Sequence, residues 1–290
     1  MEYSNPELPE GINTGESNHL KDFVILTTGV IGVIIITLTV LITIVDNFAD
    51  KIPFEVEQSL PVDIFFKQKS NESLPPYLKN ISEKVIQSFD LPEPMKITVH
   101  YVNSDTVNAY ATLGGHIVLY RGLLEKLKHE DELAMLIAHE VAHVKYRHPI
   151  LSVSHGIVMG VVMSLLSTSA GTSAISDLMG HTGMVTLMQY SREYEYQSDK
   201  DAIQAIVKIY GHAEGARGLF EVLNSVQKNN EPIELFSTHP LTDNRIIQAN
   251  QMNKKYSEPN KAHNFTPLSA EFESWLISQK EKNKLSIRKQ

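Results

Sequence analysis

Apolar positions follow three patterns along the chain. Phe23 to Val45 is an unbroken run without a charge, rich in Ile, Val, Leu and Thr and bounded by Lys21-Asp22 and Asp46. It is long enough to cross a hydrocarbon core of roughly 30 Å as a tilted helix, and so predicts an N-terminal membrane anchor. The run exceeds the usual core of a cleavable signal and no basic segment precedes it, which favours an uncleaved anchor. Within Leu133 to Arg147, residues Leu133, Leu136, Ile137, Val141 and Val144 recur at three- and four-residue steps, the mark of a largely buried helix. Asp131 is the expected N-cap and Pro149 the expected stop, pushing His148 out of helical geometry. Other helices are predicted over Pro76 to Phe89, Ile150 to Leu166, Met184 to Tyr210, His212 to Lys228 and Ala270 to Lys284. Three stretches read as strands from their β-branched and aromatic content: Ile97 to Val102, Thr106 to Leu113 and His116 to Tyr120, the last two joined by a tight turn at Gly114-Gly115.

These elements predict an α+β fold, mainly helical, with a small sheet or hairpin and one transmembrane helix. The expected divisions are a disordered leader (1–22), the anchor (23–45), a membrane-proximal segment (46–94), one domain (95–256) and a polar tail (257–290). Within the domain, residues 150–185 form a candidate lid or membrane-associated segment. The apolar run from Ile150 carries Gly156 and Gly160 four apart and is borderline in length for a span. A glycine-rich stretch with Gly171, Gly180 and Gly183 follows it. The tail reads as solvated, with a basic end at Arg288-Lys289 whose alternative use is contact with anionic lipid.

Composition narrows the chemistry. A formal net charge of -8 over 290 residues offers no strongly basic field and argues against nucleic acid as a partner. Cysteine is absent, which excludes disulfides, thiolate metal sites and a cysteine nucleophile. What remains centres on His139-Glu140-Val141-Ala142-His143. Residues four apart share a helix face, so the two imidazoles can meet one metal ion, with Glu140 beside them placed to take a proton from a water. Two core histidines satisfied by neighbours would produce the same pattern. Glu195 and Asp199 are likewise four apart; such carboxylates are usually just solvated, but a site with two histidines lacks a third ligand, and Glu195 can supply it with Asp199 accepting from a histidine N–H. His239, fixed before Pro240 and followed by Asp243 and Arg245, is either aimed at a cleft or an exposed turn residue.

Four blocks in order resemble the integral-membrane zinc metallopeptidases of the HtpX, BepA, Oma and CAAX prenyl protease group. They are Asn108-Ala-Tyr-Ala111 with Gly114-Gly115, the His139 to His143 motif, Ser191-Arg192 through Glu195 to Asp199, and Ser237-Thr-His-Pro240 with Arg245. The resemblance implies a gluzincin-like domain with His139, His143 and Glu195 holding one zinc ion and Glu140 as general base. It also implies that Asp199 and Arg245 support the ligands, that His239 faces the cleft, and that Asn108, Ala109, Tyr110 and Ala111 lie beside a substrate strand. Ser198 stands where the family tends to have Ala. The single anchor looks more like the one-span branch than the prenyl-protease branch. The basic flanks do not decide orientation; the resemblance implies a bacterial inner membrane with the domain on the periplasmic face.

The expected activity is zinc-dependent hydrolysis of peptide bonds in misfolded or membrane proteins. One alternative is a membrane-anchored chaperone or adaptor that binds unfolded chains without cutting. The other is a tethered zinc enzyme acting on a non-peptide bond.

Overall fold

The computed structural model describes residues 18–60, 74–166, 190–228, 234–256 and 265–287. The leader up to residue 17, the Gly171 to Gly183 stretch and the basic end at Arg288-Lys289 lie outside the described residues. The chain divides into two units, Met1–Ile44 and Val45–Gln290.

The first unit is dominated by α1 (His19–Phe48), which has no buried side chain. Among the described residues it is the one helix long and apolar enough to cross a membrane. At 1.5 Å per residue it extends about 45 Å. Its polar side chains do not break that character: the Thr39 hydroxyl donates to the Ile35 carbonyl at 2.8 Å, and the Thr43 hydroxyl to that of Thr39 at 2.7 Å. Hydrogen-bonding groups without water are thus satisfied inside the helix.

The second unit packs helices around a three-stranded sheet. In chain order come α2 (Phe54–Gln58), α3 (Pro76–Ser88), β1 (Thr98–Val102), β2 (Ala109–Thr112), β3 (His116–Tyr120) and α4 (Arg121–Leu124). They are followed by α5 (Glu130–Lys145), α6 (His148–Leu166), α7 (Arg192–Tyr210), α8 (Glu214–Lys228), α9 (Leu235–Thr238), α10 (Asp243–Tyr256) and α11 (Ala270–Ile287). The strands lie in the order β1-β3-β2, with β1 parallel and β2 antiparallel to β3. Alternation divides the sheet cleanly. Val99, Tyr101, Ala109, Ala111, Ile117 and Leu119 join the main core, while Val102, Tyr110 and Val118 face a smaller cluster with Ile150 and Val153 of α6. The β2–β3 turn works through Gly114 and Gly115, both left-handed at φ 73° and 79°. A Cβ on Gly115 would lie 2.1 Å from the Lys96 carbonyl.

Helix α5 is the hub, packed chiefly against α7 and α8. Every residue from Asp131 to Val144 is buried, so its histidines and acids must find partners inside the protein. Its ends differ from the sequence expectation. The N-cap is His129, not Asp131: the Glu132 carboxylate reaches back to accept from the backbone N–H of His129 and Lys128 at 3.2 and 2.7 Å. Asp131 is drawn instead to the returning chain, where it accepts from the Thr266 N–H at 2.6 Å. At the far end the break comes at Arg147, whose φ is 60°, and His148 opens α6 with Pro149 in the first turn, where a missing N–H costs nothing.

Two further expectations change. Helix α7 starts at Arg192 behind the N-cap Ser191, whose hydroxyl accepts from the Tyr194 N–H, rather than at Met184; residues 184–189 lie outside the described residues. The tail is not simply solvated: Phe272 and Leu276 of α11, four apart on one face, enter the main core, and Pro267 bridges to His129.

Candidate metal centre

Three elements deliver donors to one point. Helix α5 contributes His139 and His143 from successive turns, α7 contributes Glu195 from its first turn, and the residue after α9 contributes His239. One ligand atom from each of these four residues lies within 4.8 Å of every other, and all four residues are buried. The Nε2 atoms of His139 and His143 are 3.0 Å apart, and Glu195 oxygens lie 3.4 Å from each. His239 Nδ1 stands 2.9 Å from Glu195 Oε1 and 3.2 Å from His139 Nε2. Two imidazoles bound to one zinc ion at 2.0–2.1 Å would hold their nitrogens about 3.3 Å apart, so the donor set fits a small divalent cation.

The surroundings hold the donors in place. His139 Nδ1 is 2.9 Å from Asp199 Oδ1, one turn beyond Glu195 on α7. Arg245 of α10 grips Asp199 through Nε and Nη2 at 2.7 and 2.8 Å, and its Nη1 reaches Glu195 at 2.5 Å. Burial raises the cost of ionising both carboxyls, but the charges of Arg245, His139 and, for Glu195, His239 overcome it and hold both pKa values down. The Arg245 pKa rises in return despite its burial. Burial pushes His143 well below the usual imidazole value, so it is neutral with a lone pair to offer. His139 is opposite: burial lowers its pKa, but contacts with Asp199 and Glu195 outweigh that and lift it to about 10.

Glu140 points into the same pocket. Among the described residues both its oxygens and His239 Nε2 are buried and meet no hydrogen-bond partner, and Glu140 Oε1 lies 3.7 Å from that nitrogen. An apolar recess lined by Leu136, Leu219, Phe220, Leu223 and Leu235 adjoins them. Ala109 to Ala111 lie in β2 at the sheet edge, and Asn108 immediately precedes the strand, its side chain donating to Glu234 at 3.4 Å.

Two residues escape the sequence reading. His148 presents Nδ1 to His143 Nδ1 at 3.0 Å, backing that imidazole as Asp199 backs His139. Tyr190 stacks on the His143 ring with centroids 3.9 Å apart and an interplanar angle of 20°. Tyr190 precedes the α7 cap, the position at which an apolar residue folds back onto its surroundings, and that was the available signal.

Paired imidazoles one helical turn apart, an acid beside them and a third donor from another helix make the donor pattern of a metallopeptidase. Residues 72–253 match the model of peptidase family M48, and the chain belongs to that family. Among similar proteins, the beta-barrel assembly-enhancing protease of Escherichia coli (strain K12) is 27% identical over 177 residues, 54% of this chain and 36% of that protein. The mitochondrial metalloendopeptidase OMA1 of Schizosaccharomyces pombe is 24% identical over 172 residues, 59% of this chain and 50% of the relative. A protease HtpX homolog of Thermodesulfovibrio yellowstonii is 24% identical over 225 residues, 64% of this chain and 78% of the relative. The aligned part thus spans about a third of the length of the beta-barrel assembly-enhancing protease.

Proposed function

We propose that the chain is a membrane-anchored zinc endopeptidase that cuts polypeptides, with misfolded or envelope proteins as substrates and the domain on the periplasmic face of a bacterial inner membrane. The observation that carries this reading is the buried Glu140 carboxylate, without a hydrogen-bond partner among the described residues, beside a converging set of donors from His139, His143 and Glu195. A chaperone has no use for such a costly arrangement. The names of the relatives, a beta-barrel assembly-enhancing protease and a mitochondrial metalloendopeptidase, support membrane or envelope proteins as the substrate class.

In this reading His139, His143 and Glu195 hold the ion, which when bound supplies Lewis acidity and brings the pKa of a water towards about 7. Glu140 takes the water's proton on a carboxylate oxygen and returns it to the leaving amine. Asp199 accepts the His139 Nδ1–H and so fixes which nitrogen faces the ion, while Arg245 keeps Asp199 and Glu195 ionised and aligned. Ala109 and Ala111 lie on an edge strand able to pair with an extended peptide main chain. His239 donates to the developing oxyanion in the open state. In the arrangement of the structure its Nδ1 lies 2.9 Å from Glu195 Oε1 and 3.2 Å from His139 Nε2, separations that suit a fourth ligand keeping the enzyme silent.

Casein digestion tests the reading. The detergent-solubilised chain should cleave casein, and a zinc chelator or Glu140→Gln should abolish cleavage. Equal digestion with and without chelator would end the metallopeptidase reading, and binding of casein without cleavage would favour the chaperone.

A further inference from the structure

The outer edge of β2 already carries two hydrogen bonds from elsewhere in the chain. Asn108 pairs with Tyr120, whose N–H donates to the Asn108 carbonyl at 3.2 Å, so by antiparallel alternation Val107, Ala109 and Ala111 turn their backbone groups away from β3. Those outward groups are the ones an incoming strand would use. At one end the Leu235 N–H donates to the Val107 carbonyl at 3.3 Å; at the other, the Tyr190 hydroxyl donates to the Ala111 carbonyl at 3.0 Å. Tyr190 is buried, lies on His143, and its own N–H donates to the carbonyl of Thr238, the residue before His239. One residue therefore touches a candidate metal ligand, the edge strand and the His239 loop together.

We propose that Tyr190 holds the place of substrate main chain on this edge, and that its hydroxyl must release the Ala111 carbonyl before a peptide can pair there. The inference rests on the peptidase reading above and adds a competitor built into the chain. A substrate gains its hydrogen bond to Ala111 only by displacing one the protein already makes, so the closed state lowers apparent affinity by its share of the population. A net hydrogen bond of this kind corresponds to a factor of about three to ten in an equilibrium constant.

Tyr190→Phe removes the hydroxyl while keeping the ring on His143 and the backbone bond to Thr238. The test places this change in the full-length Glu140→Gln chain and follows fluorescein-labelled casein by anisotropy, with melting temperature and zinc content measured alongside. The expected result is binding about three- to tenfold tighter at unchanged zinc content, and, with Glu140 restored, a KM for casein lower by a similar factor with kcat not raised in proportion. Casein binding that is unchanged or weaker overturns the proposal, since a purely structural tyrosine would lower the melting temperature without tightening the complex. Tyr190→Leu, which also lacks the hydroxyl, gives a second comparison should the Phe variant fail to fold, and the same outcomes apply. Failure of Tyr190→Phe to tighten binding while the parent still cleaves casein strikes this inference alone. Absence of both binding and cleavage in the parent overturns it together with the peptidase reading.

Discussion

At the scale of single residues, the candidate site is an electrostatic balance among His139, His143, Glu195, Asp199 and Arg245. Glu195 and Asp199 are held ionised and His143 neutral, whereas His139 keeps a proton in the metal-free protein up to about pH 10. A nitrogen that carries this proton cannot offer a lone pair. At pH 7 zinc uptake should therefore release about one proton, and apparent affinity should rise with pH and level off once His139 titrates. Calorimetry of zinc binding in buffers of different ionisation enthalpy measures the proton count; a count near zero at pH 7 would mean that His139 is already neutral. The spacing of His139 and His143 was legible in the sequence because helical periodicity fixes which residues share a face. The contacts of Tyr190 and His148 were not, because they arise from stacking and hydrogen bonds between separate elements; the place of Tyr190 before the α7 cap marks it as packed but does not say against what.

At the scale of elements, α5 and α7 carry three of the four converging donors, and the residue after the short α9 carries the fourth. The His239 N–H donates to the Leu235 carbonyl at 2.7 Å, and Thr238 is tied to Tyr190, so His239 can move only with this turn. If His239 acts as a fourth ligand in the closed arrangement, His239→Ala should raise basal casein cleavage several-fold; if its contribution is an oxyanion contact, cleavage should fall by about a hundredfold. Initial rates at saturating casein separate the two. Most helices and all three strands were visible as patterns, yet their ends were less so. The cap of α5 moved from Asp131 to His129 because a tertiary contact with Thr266 claims the Asp131 carboxylate. The tail was misread because two apolar residues, Phe272 and Leu276, are enough to dock an otherwise polar helix.

At the scale of the whole molecule, an apolar helix with no buried side chain and a buried cluster of candidate metal donors belong to one chain. The chain has no cysteine, so one introduced thiol reports topology without background. Ser225 is exposed on α8, away from the proposed site. Ser225→Cys in intact cells should react with a membrane-impermeant maleimide once the outer membrane is opened, if the domain is periplasmic; labelling only after lysis of the inner membrane would place it in the cytoplasm. The most direct measurement of the central claim is the zinc content of purified wild-type, Glu140→Gln and Glu195→Ala chains. One zinc ion per chain should be retained in the first two and largely lost in the third. Equal zinc in all three would contradict the assignment of Glu195 as a ligand, and with it the joining of α5 and α7 through a shared ion.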